Sequence, residues 1–286
     1  MLKVENNGGD LAITGIAAGK PGESLESFAT EHGIELEGTM TAFSLGPGDF
    51  LCASIKQEDE TDDSQLEELL RWDIQQKILS DPGEFNFDFI TIGDMKFSFA
   101  GQKKLIRKMA GSLANTLVDV EPIALFNGYE GSEGIENTSV MLVSVEAEGI
   151  SSIVIENGLP VSIESFALNE DAIDEVFPAL DHDAMSRVDN ATLERLADDV
   201  LESVNRLTSA GENKENPTPE HLVLTGAALY AGDFKDIVEN KATIAPVVFN
   251  PFVPYMQDVK ELHQELAEMG SAFTTCFGLA LRAMEV

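Results

Sequence analysis

The apolar positions of this chain follow two rhythms, every second residue and every third or fourth. The switches between them mark out its elements. Leu2–Glu5 and Leu11–Ala17 flank Asn6-Asn7-Gly8-Gly9-Asp10, a hairpin signature. Ser24–His32 carries Leu25 and Phe28 at helical spacing, and Gly33 is placed to end that helix. Thr39–Leu45 and Phe50–Ile55 read as strands. Ser64-Gln65-Leu66-Glu67 fits a capping box, and the helix it opens sets Leu66, Leu69, Leu70, Ile74 and Ile78 along one face. Pro82-Gly83 closes it. Phe85, Phe87 and Phe89 then alternate with Asn86 and Asp88, as in a strand with one buried face. Met95–Ala100 reads as a strand and Lys103–Leu113 as a helix bearing Lys103, Lys104, Arg107 and Lys108, which neutralise nearby carboxylates or bind an anion.

At mid-chain a short apolar run (Leu117, Val118, Val120) meets Pro122 and a helical segment, Ile123–Tyr129. Three more apolar runs follow: Ser139–Val145, Ile150–Ile155 and Leu159–Phe166. Asn157-Gly158 joins the last two, and Asn-Gly is a strong hairpin signal. A fresh strand meander at this point implies a second half built like the first. Glu170–Leu180 reads as a helix. In Ala191–Thr208, Leu193, Leu196, Val200, Val204 and Leu207 form one apolar stripe. Beyond the polar loop Gly211–Pro219 the pattern gives a strand at His221–Thr225, a helix over Ala228–Glu239, a strand over Ala242–Phe249 and a buried terminal helix within Met269–Met284.

Charge narrows the function classes. The chain has 286 residues and sets 18 basic against 51 acidic side chains, a net charge of −33. Such a surface repels phosphate backbones and anionic lipid, so nucleic acid and bare membrane are excluded as primary partners, whereas a basic peptide is attracted. Cys52 and Cys276 each sit in an apolar run and read as buried free thiols of a reducing compartment. No signal peptide and no membrane-spanning apolar run is expected, which places the protein in the cytoplasm.

Several segments resemble the type IV pilus assembly proteins of the PilM family, actin-like relatives of the cell-division protein FtsA. LEELLRWDIQQKI (Leu66–Ile78) is similar to the family's Glu-rich helix with an Arg-Trp pair. FNFDFITI (Phe85–Ile92) stands in place of its acidic strand. VDVEPIA (Val118–Ala124), IVIENGLPV (Ile153–Val161), LVLTGAALYAG (Leu222–Gly232), Asn250-Pro251-Phe252 and FGLALRAM (Phe277–Met284) follow in family order. The resemblance implies an α/β fold, actin-like (ribonuclease H-like) and two-lobed, with an α+β, SHS2-like insert in the first lobe. Lobe one then takes 1–45 and 120–136, the insert 46–119, and lobe two 137–286 with its outer part reduced.

Family members usually bind ATP and Mg²⁺ between the lobes through two Asp-x-Gly hairpin turns, whose backbone amides cradle phosphate oxygens. The first such turn is expected before Leu2, where the chain already reads as the family's second strand. At the second, Ser144 replaces Asp and Glu146 replaces Gly, with Glu148 adding further charge. Gly226 of the third element persists, but Ala227 replaces its second glycine. A desolvated, unpaired carboxylate opposite phosphate costs several kcal/mol. No cofactor and no catalysis are therefore expected, the alternative being a working ATP-dependent switch completed by residues outside this sequence.

By the same resemblance the partner is the cytoplasmic N-terminal tail of a single-pass inner-membrane protein like PilN. It lies in a groove between the insert and lobe one and holds the chain peripherally at the inner membrane. Trp72, Ile74 and Phe89 are the apolar candidates for that contact, with Glu67 and Asp73 for a basic stretch. A homodimer is compatible with this reading. The resemblance also leaves room for a cytoplasmic component of type II secretion and for an actin-like filament subunit.

Other chemistry is absent from the pattern. Gly15–Lys20 (GIAAGK) has the wrong glycine spacing for a phosphate loop, and Pro21 stands where a hydroxyl is needed. His32, His182, His221 and His263 show no ligand spacing, and Asp181-His182-Asp183 reads as a solvated loop.

Overall fold

A computed structural model describes residues 2–7, 10–16, 29–31, 33, 39–57, 62–111, 115–131, 139–168, 176–177, 188–209, 219–255 and 268–285. The helices expected at Ser24–His32 and Glu170–Leu180 and the loop at Gly211–Pro219 lie largely outside these residues.

The second half is built on one sheet. Strands β8 (Ser139–Glu146), β9 (Gly149–Glu156) and β10 (Leu159–Ala167) form the expected antiparallel meander. Strand β11 (His221–Thr225) then runs parallel to β8, and β12 (Pro246–Val248) parallel to β11. The spatial order is β10-β9-β8-β11-β12, so the third, second, first, fourth and fifth strands of this lobe lie side by side. At the β9–β10 turn both Asn157 (φ 51°) and Gly158 (φ 79°) are left-handed, the conformation of a two-residue hairpin that Asn-Gly favours.

Both faces of this sheet are covered because its strands alternate apolar side chains outward in both directions. Met141, Val143 and Val145 meet Leu193, Leu196, Val200 and Leu207 of a helix we label α4 (Asn190–Ser209), and Phe234 and Val238 of α5 (Phe234–Lys241). Val140 and Leu142 face the other way, onto Leu125, Phe126 and Tyr129 of α3 (Glu121–Glu130). The single helix expected across Ala228–Glu239 is broken. A short 3₁₀ turn, Ala227–Tyr230, precedes α5, and Gly232 between them has φ 45°.

The first half is split. Strands β1 (Leu2–Asn7) and β2 (Asp10–Ile16) form the expected hairpin, while β3 (Thr41–Leu45) runs parallel to β7 (Thr116–Val120) in a separate two-stranded sheet. By analogy with the second lobe these are its second, third, fourth and fifth strands. Among the described residues no strand holds the first position. The terminal helix α6 (Thr274–Met284) packs on β1, β3 and above all α3. The division implied by the resemblance counts this helix with lobe two, while its main contacts are with α3 and with strands of the first half. The reason is a pair of facing notches: a Cβ on Gly278 would overlap the Ala124 carbonyl oxygen, and one on Gly128 the Thr274 carbonyl oxygen.

The insert between β3 and β7 is a three-stranded antiparallel sheet in the order β4-β6-β5, made of β4 (Phe50–Lys56), β5 (Phe85–Ile92) and β6 (Met95–Gln102). Helix α1 (Asp63–Lys77) crosses one face and buries Leu66, Leu70 and Ile74. Its cap is Asp62, whose carboxylate accepts from Ser64 N at 3.1 Å, two residues before the expected box. On the other face Phe50, Phe97 and Phe99 pack with Leu45, Val120 and Ile123 of lobe one, backed by helix α2 (Lys103–Ala110) and by Val161 and Ile163 of β10.

Candidate functional site

Two places concentrate unusual chemistry. The first lies where β8 ends. The residue after β11, Gly226, has φ 102°, and a Cβ there would overlap the Val145 backbone; only glycine lets this turn approach β8 so closely. That approach sets Ala227 N–H against Glu146, whose carboxylate accepts from it at 3.1 Å. Burial raises the Glu146 pKa well above the usual carboxylate range; the charges of Glu148 and Glu121 add to the rise, and the Ala227 amide opposes it. Ser144, two residues earlier on the same strand, is fully buried, and its hydroxyl lies near enough to Glu121 to lower that carboxyl's pKa.

Glu121, at the first position of α3, completes this cluster from the other lobe. It is 4 % exposed and accepts a hydrogen bond from Ser151 Oγ on β9, which in turn pairs with Ser165 Oγ on β10 at 2.8 Å. Its second oxygen is buried without a partner. Burial raises its pKa to about 7, with Ser151 lowering it and the Glu148 charge raising it further. Sequence reasoning gave Glu121 no role, because an acid in the first turn of a helix is ordinary.

The second place is a groove of about 700 Å³ at the outer edge of the insert. One wall is β4, an edge strand of the insert sheet; the other is β10, an edge strand of the second-lobe sheet. Ser54 and Lys56 face Leu159, Val161 and Ser162 across it, and Asp94, Met95 and Glu156 also line it. Lys56 Nζ sits 3.4 Å from Asp94 Oδ2. One carboxylate oxygen of Glu156 is buried without a hydrogen-bond partner, and burial raises the Glu156 pKa, with Lys56 opposing and Asp94 adding.

The expected groove between the insert and lobe one is filled by the aromatic packing of Phe50, Phe97 and Phe99 on Leu45, Val120 and Ile123. None of the five residues proposed from sequence lines the open groove. Ile74 is fully buried in the insert core, so the docking contact expected of it is a packing contact. Glu67 and Asp63 hold the Lys96 ammonium at 3.0 and 3.2 Å, while the Lys96 side chain is buried beneath α1. Asp73 pairs with Lys77 at 2.8 Å. Phe89 is half-buried, with the Arg71 guanidinium 5.3 Å from its ring centre. Trp72 alone stands clear, 61 % exposed.

Both thiols are free and partly buried, and burial pushes Cys52 up to about 12, which makes it unreactive. Among the described residues no cluster of ligating side chains is arranged to hold a metal ion.

No sequence-family model matches the chain, and neither does any curated protein. Solved structures do. The structure of the PilM–PilN type IV pilus biogenesis complex aligns with all of this chain and 95 % of its own, at 19 % identity and a TM-score of 0.69. The fold is actin-like. A Bacteroides thetaiotaomicron protein with actin-like ATPase fold and unknown function is 14 % identical over 84 % of this chain and 80 % of its own, with a TM-score of 0.46. The cytoplasmic domain of EpsL, an inner-membrane component of the Vibrio cholerae type II secretion system, is 13 % identical over 66 % and 63 %, at 0.37. The strand order of the second lobe is the ribonuclease H-like order of this fold, and the cluster around Glu146 sits at the end of its first strand, on the side facing the other lobe.

Proposed function

We propose that this chain is a nucleotide-independent scaffold of a type IV pilus or related secretion machine, docking the short cytoplasmic tail of a single-pass inner-membrane partner like PilN. The observation that carries this reading is the groove between β4 and β10. Among the described residues both walls are edge strands, able to pair with an extended peptide, and Met95, Leu159 and Val161 offer apolar contact. The unpartnered Glu156 oxygen accepts from a basic side chain. Such segments flank membrane helices on the cytoplasmic side, where Lys and Arg are enriched. A volume of about 700 Å³ lies within the usual range for ligand clefts. The likeness to the PilM–PilN structure along the whole chain supports the same reading.

The residues present do not fit a nucleotide polyphosphate. The amide of Ala227, at the glycine turn, is taken by the chain's own Glu146, and Glu121 and Glu148 place further acid beside it. Ser144 brings no charge to hold Mg²⁺. No step of a hydrolytic reaction is assigned. Among the described residues no helix is long and apolar enough to cross a membrane, so in this proposal the partner supplies the attachment.

The test is calorimetry with synthetic peptides spanning the cytoplasmic tails of single-pass membrane proteins encoded beside this reading frame. One tail is expected to bind, and Leu159→Asp to weaken it at least about tenfold, since a desolvated carboxylate costs more than about 1.4 kcal/mol in an apolar contact. Absence of heat for every tail, or an unchanged affinity in the variant, rejects the groove as the docking site.

A further inference from the structure

Both walls of the β4–β10 groove are tied to the acid cluster at the end of β8. The β10 wall is reached through hydroxyls: Glu121 accepts from Ser151 Oγ on β9, which pairs with Ser165 Oγ on β10 at 2.8 Å. The β4 wall is reached through the turn Gly46-Pro47-Gly48, which leads from β3 into β4. That turn is pressed onto the β8–β9 turn and the end of β10. A Cβ on Gly46 would lie 2.9 Å from Glu148 Cβ, one on Gly48 2.9 Å from Ala167 Cβ, and one on Gly149 2.6 Å from Pro47 Cβ. Taking the groove as the docking site of the tail, we propose that protons on Glu121 and Glu146 clamp its two walls together, and that the groove loosens when these carboxylates ionise.

An ionised carboxylate away from water needs a cation or several donors. Glu121 is buried and Glu146 partly so, and the charges acting on them are those of acids, Glu148 on both and Glu121 on Glu146. Their donors are few: the Ser151 and Ser144 hydroxyls for Glu121, the Ala227 amide for Glu146. Water reaches the cluster most directly where the Gly46–Gly48 turn meets Glu148, the exposed residue of the β8–β9 turn. Ionisation therefore favours withdrawal of that turn, and β4 moves with it. Asp49 closes the same turn, its N–H donating to the Gly46 carbonyl at 3.0 Å, and burial raises its pKa too. Tyr230 and Cys276 face the cluster from the 3₁₀ turn and α6. Burial raises both, with the amino terminus opposing at Cys276, so they stay neutral through pH 8.5.

The Glu121 pKa is about 7 in the clamped chain against an ordinary 4.5. The clamped state is thus favoured in acid and lost as pH rises through about 7. Between pH 6 and 8.5 the ratio of clamped to loosened chains falls about tenfold from Glu121 alone, and Glu146 adds to the fall. Glu156, in the groove beside the Lys56–Asp94 pair, acts the other way, because its negative charge attracts a basic tail.

Pulsed electron paramagnetic resonance on the full chain tests the clamp without any tail. Spin labels go on Gln76→Cys in α1 and Asn205→Cys in α4, both exposed, with Cys52→Ala and Cys276→Ala removing the native thiols. One short separation is expected at pH 6, and a longer one whose share relative to the short grows about tenfold by pH 8.5. Glu121→Gln should suppress most of that growth, and Glu146→Gln part of it. Identical distributions at the two pH values, or growth indifferent to both variants, overturn the proposal. In Glu156→Gln, which removes the opposing charge, calorimetry should show a bound tail weakening severalfold from pH 6 to 8.5. A tail whose affinity there ignores pH overturns the clamp and leaves the docking site intact. If no tail binds while the separation still follows pH, the docking reading fails and the clamp stands.

Discussion

Gly278→Ala is expected to lower the thermal midpoint by roughly 4–8 °C. The sign is a contest. In a helix interior Ala is favoured over Gly by about 1 kcal/mol, so an open site would gain stability. At Gly278 the added methyl meets the Ala124 carbonyl oxygen and lies close to the backbone of Gly128. Neither neighbour is a flexible side-chain end, so α3 and α6 must separate along their line of closest contact. Overpacking of this kind costs about 3 kcal/mol, about 2 kcal/mol net of the helix gain, and for a chain of this length each kcal/mol moves the midpoint by roughly 2–4 °C. The loss spreads, because α3 also forms one cover of the second-lobe sheet through Leu125, Phe126 and Tyr129. Differential scanning calorimetry checks it. A midpoint within about 2 °C of the parent, or above it, contradicts the notch-to-notch packing of the two helices.

Glu121→Gln is expected to stabilise the protein above pH 8 and to have little effect below pH 5. The Glu121 pKa is raised in the folded chain to about 7 from a usual value of 4.5. The folded state therefore holds a proton that the unfolded state releases. The stability this contributes is fully present below about pH 4.5 and is lost as pH rises through about 7. The difference corresponds to roughly 3–4 kcal/mol at most, at about 1.4 kcal/mol per pH unit. Glutamine removes the ionisation, keeps an acceptor for Ser151 Oγ, and brings an N–H beside the buried Ser144 hydroxyl. The measurement is the midpoint of the two proteins from pH 5 to 9. The parent should fall further than the variant across pH 5–8; parallel curves would show that the Glu121 carboxylate is not desolvated. Glu146, whose pKa is also raised by burial and neighbouring acid, loses the Glu121 charge in the variant, so its own pH slope flattens there and the difference between the two curves widens.

What the sequence revealed and what it hid follow one division. Elements governed by neighbours in the chain were legible. The Asn157-Gly158 hairpin, the Phe85–Phe89 alternation and the α4 stripe stand where expected, since turn conformations and one-face periodicities are local properties. Features governed by pairs distant in the chain were not. Gly128 and Gly278 are ordinary helix glycines until they face each other. Glu146 reads as a misplaced acid until its acceptor role toward Ala227, 81 residues on, is seen. The docking residues show a different fault. Ile74 shares the helical stripe of Leu66 and Leu70, and that stripe by itself assigns it to the core, whereas the family likeness suggested a partner surface. Lys96 hid its role for a related reason: a lysine in a strand reads as solvent-facing, and only α1 laid across it explains the burial of its stem.

The central claim is that a carboxylate of the chain itself satisfies the amide at the Gly226 turn, leaving a platform with a peptide groove and no nucleotide. Thermal unfolding with and without about 1 mM MgATP, an amount roughly 1,000-fold above a micromolar Kd, tests it most directly, since a ligand at that excess raises folding stability by about 4 kcal/mol. The account predicts an unchanged midpoint. A rise of several degrees with MgATP, absent with magnesium chloride alone, would contradict it.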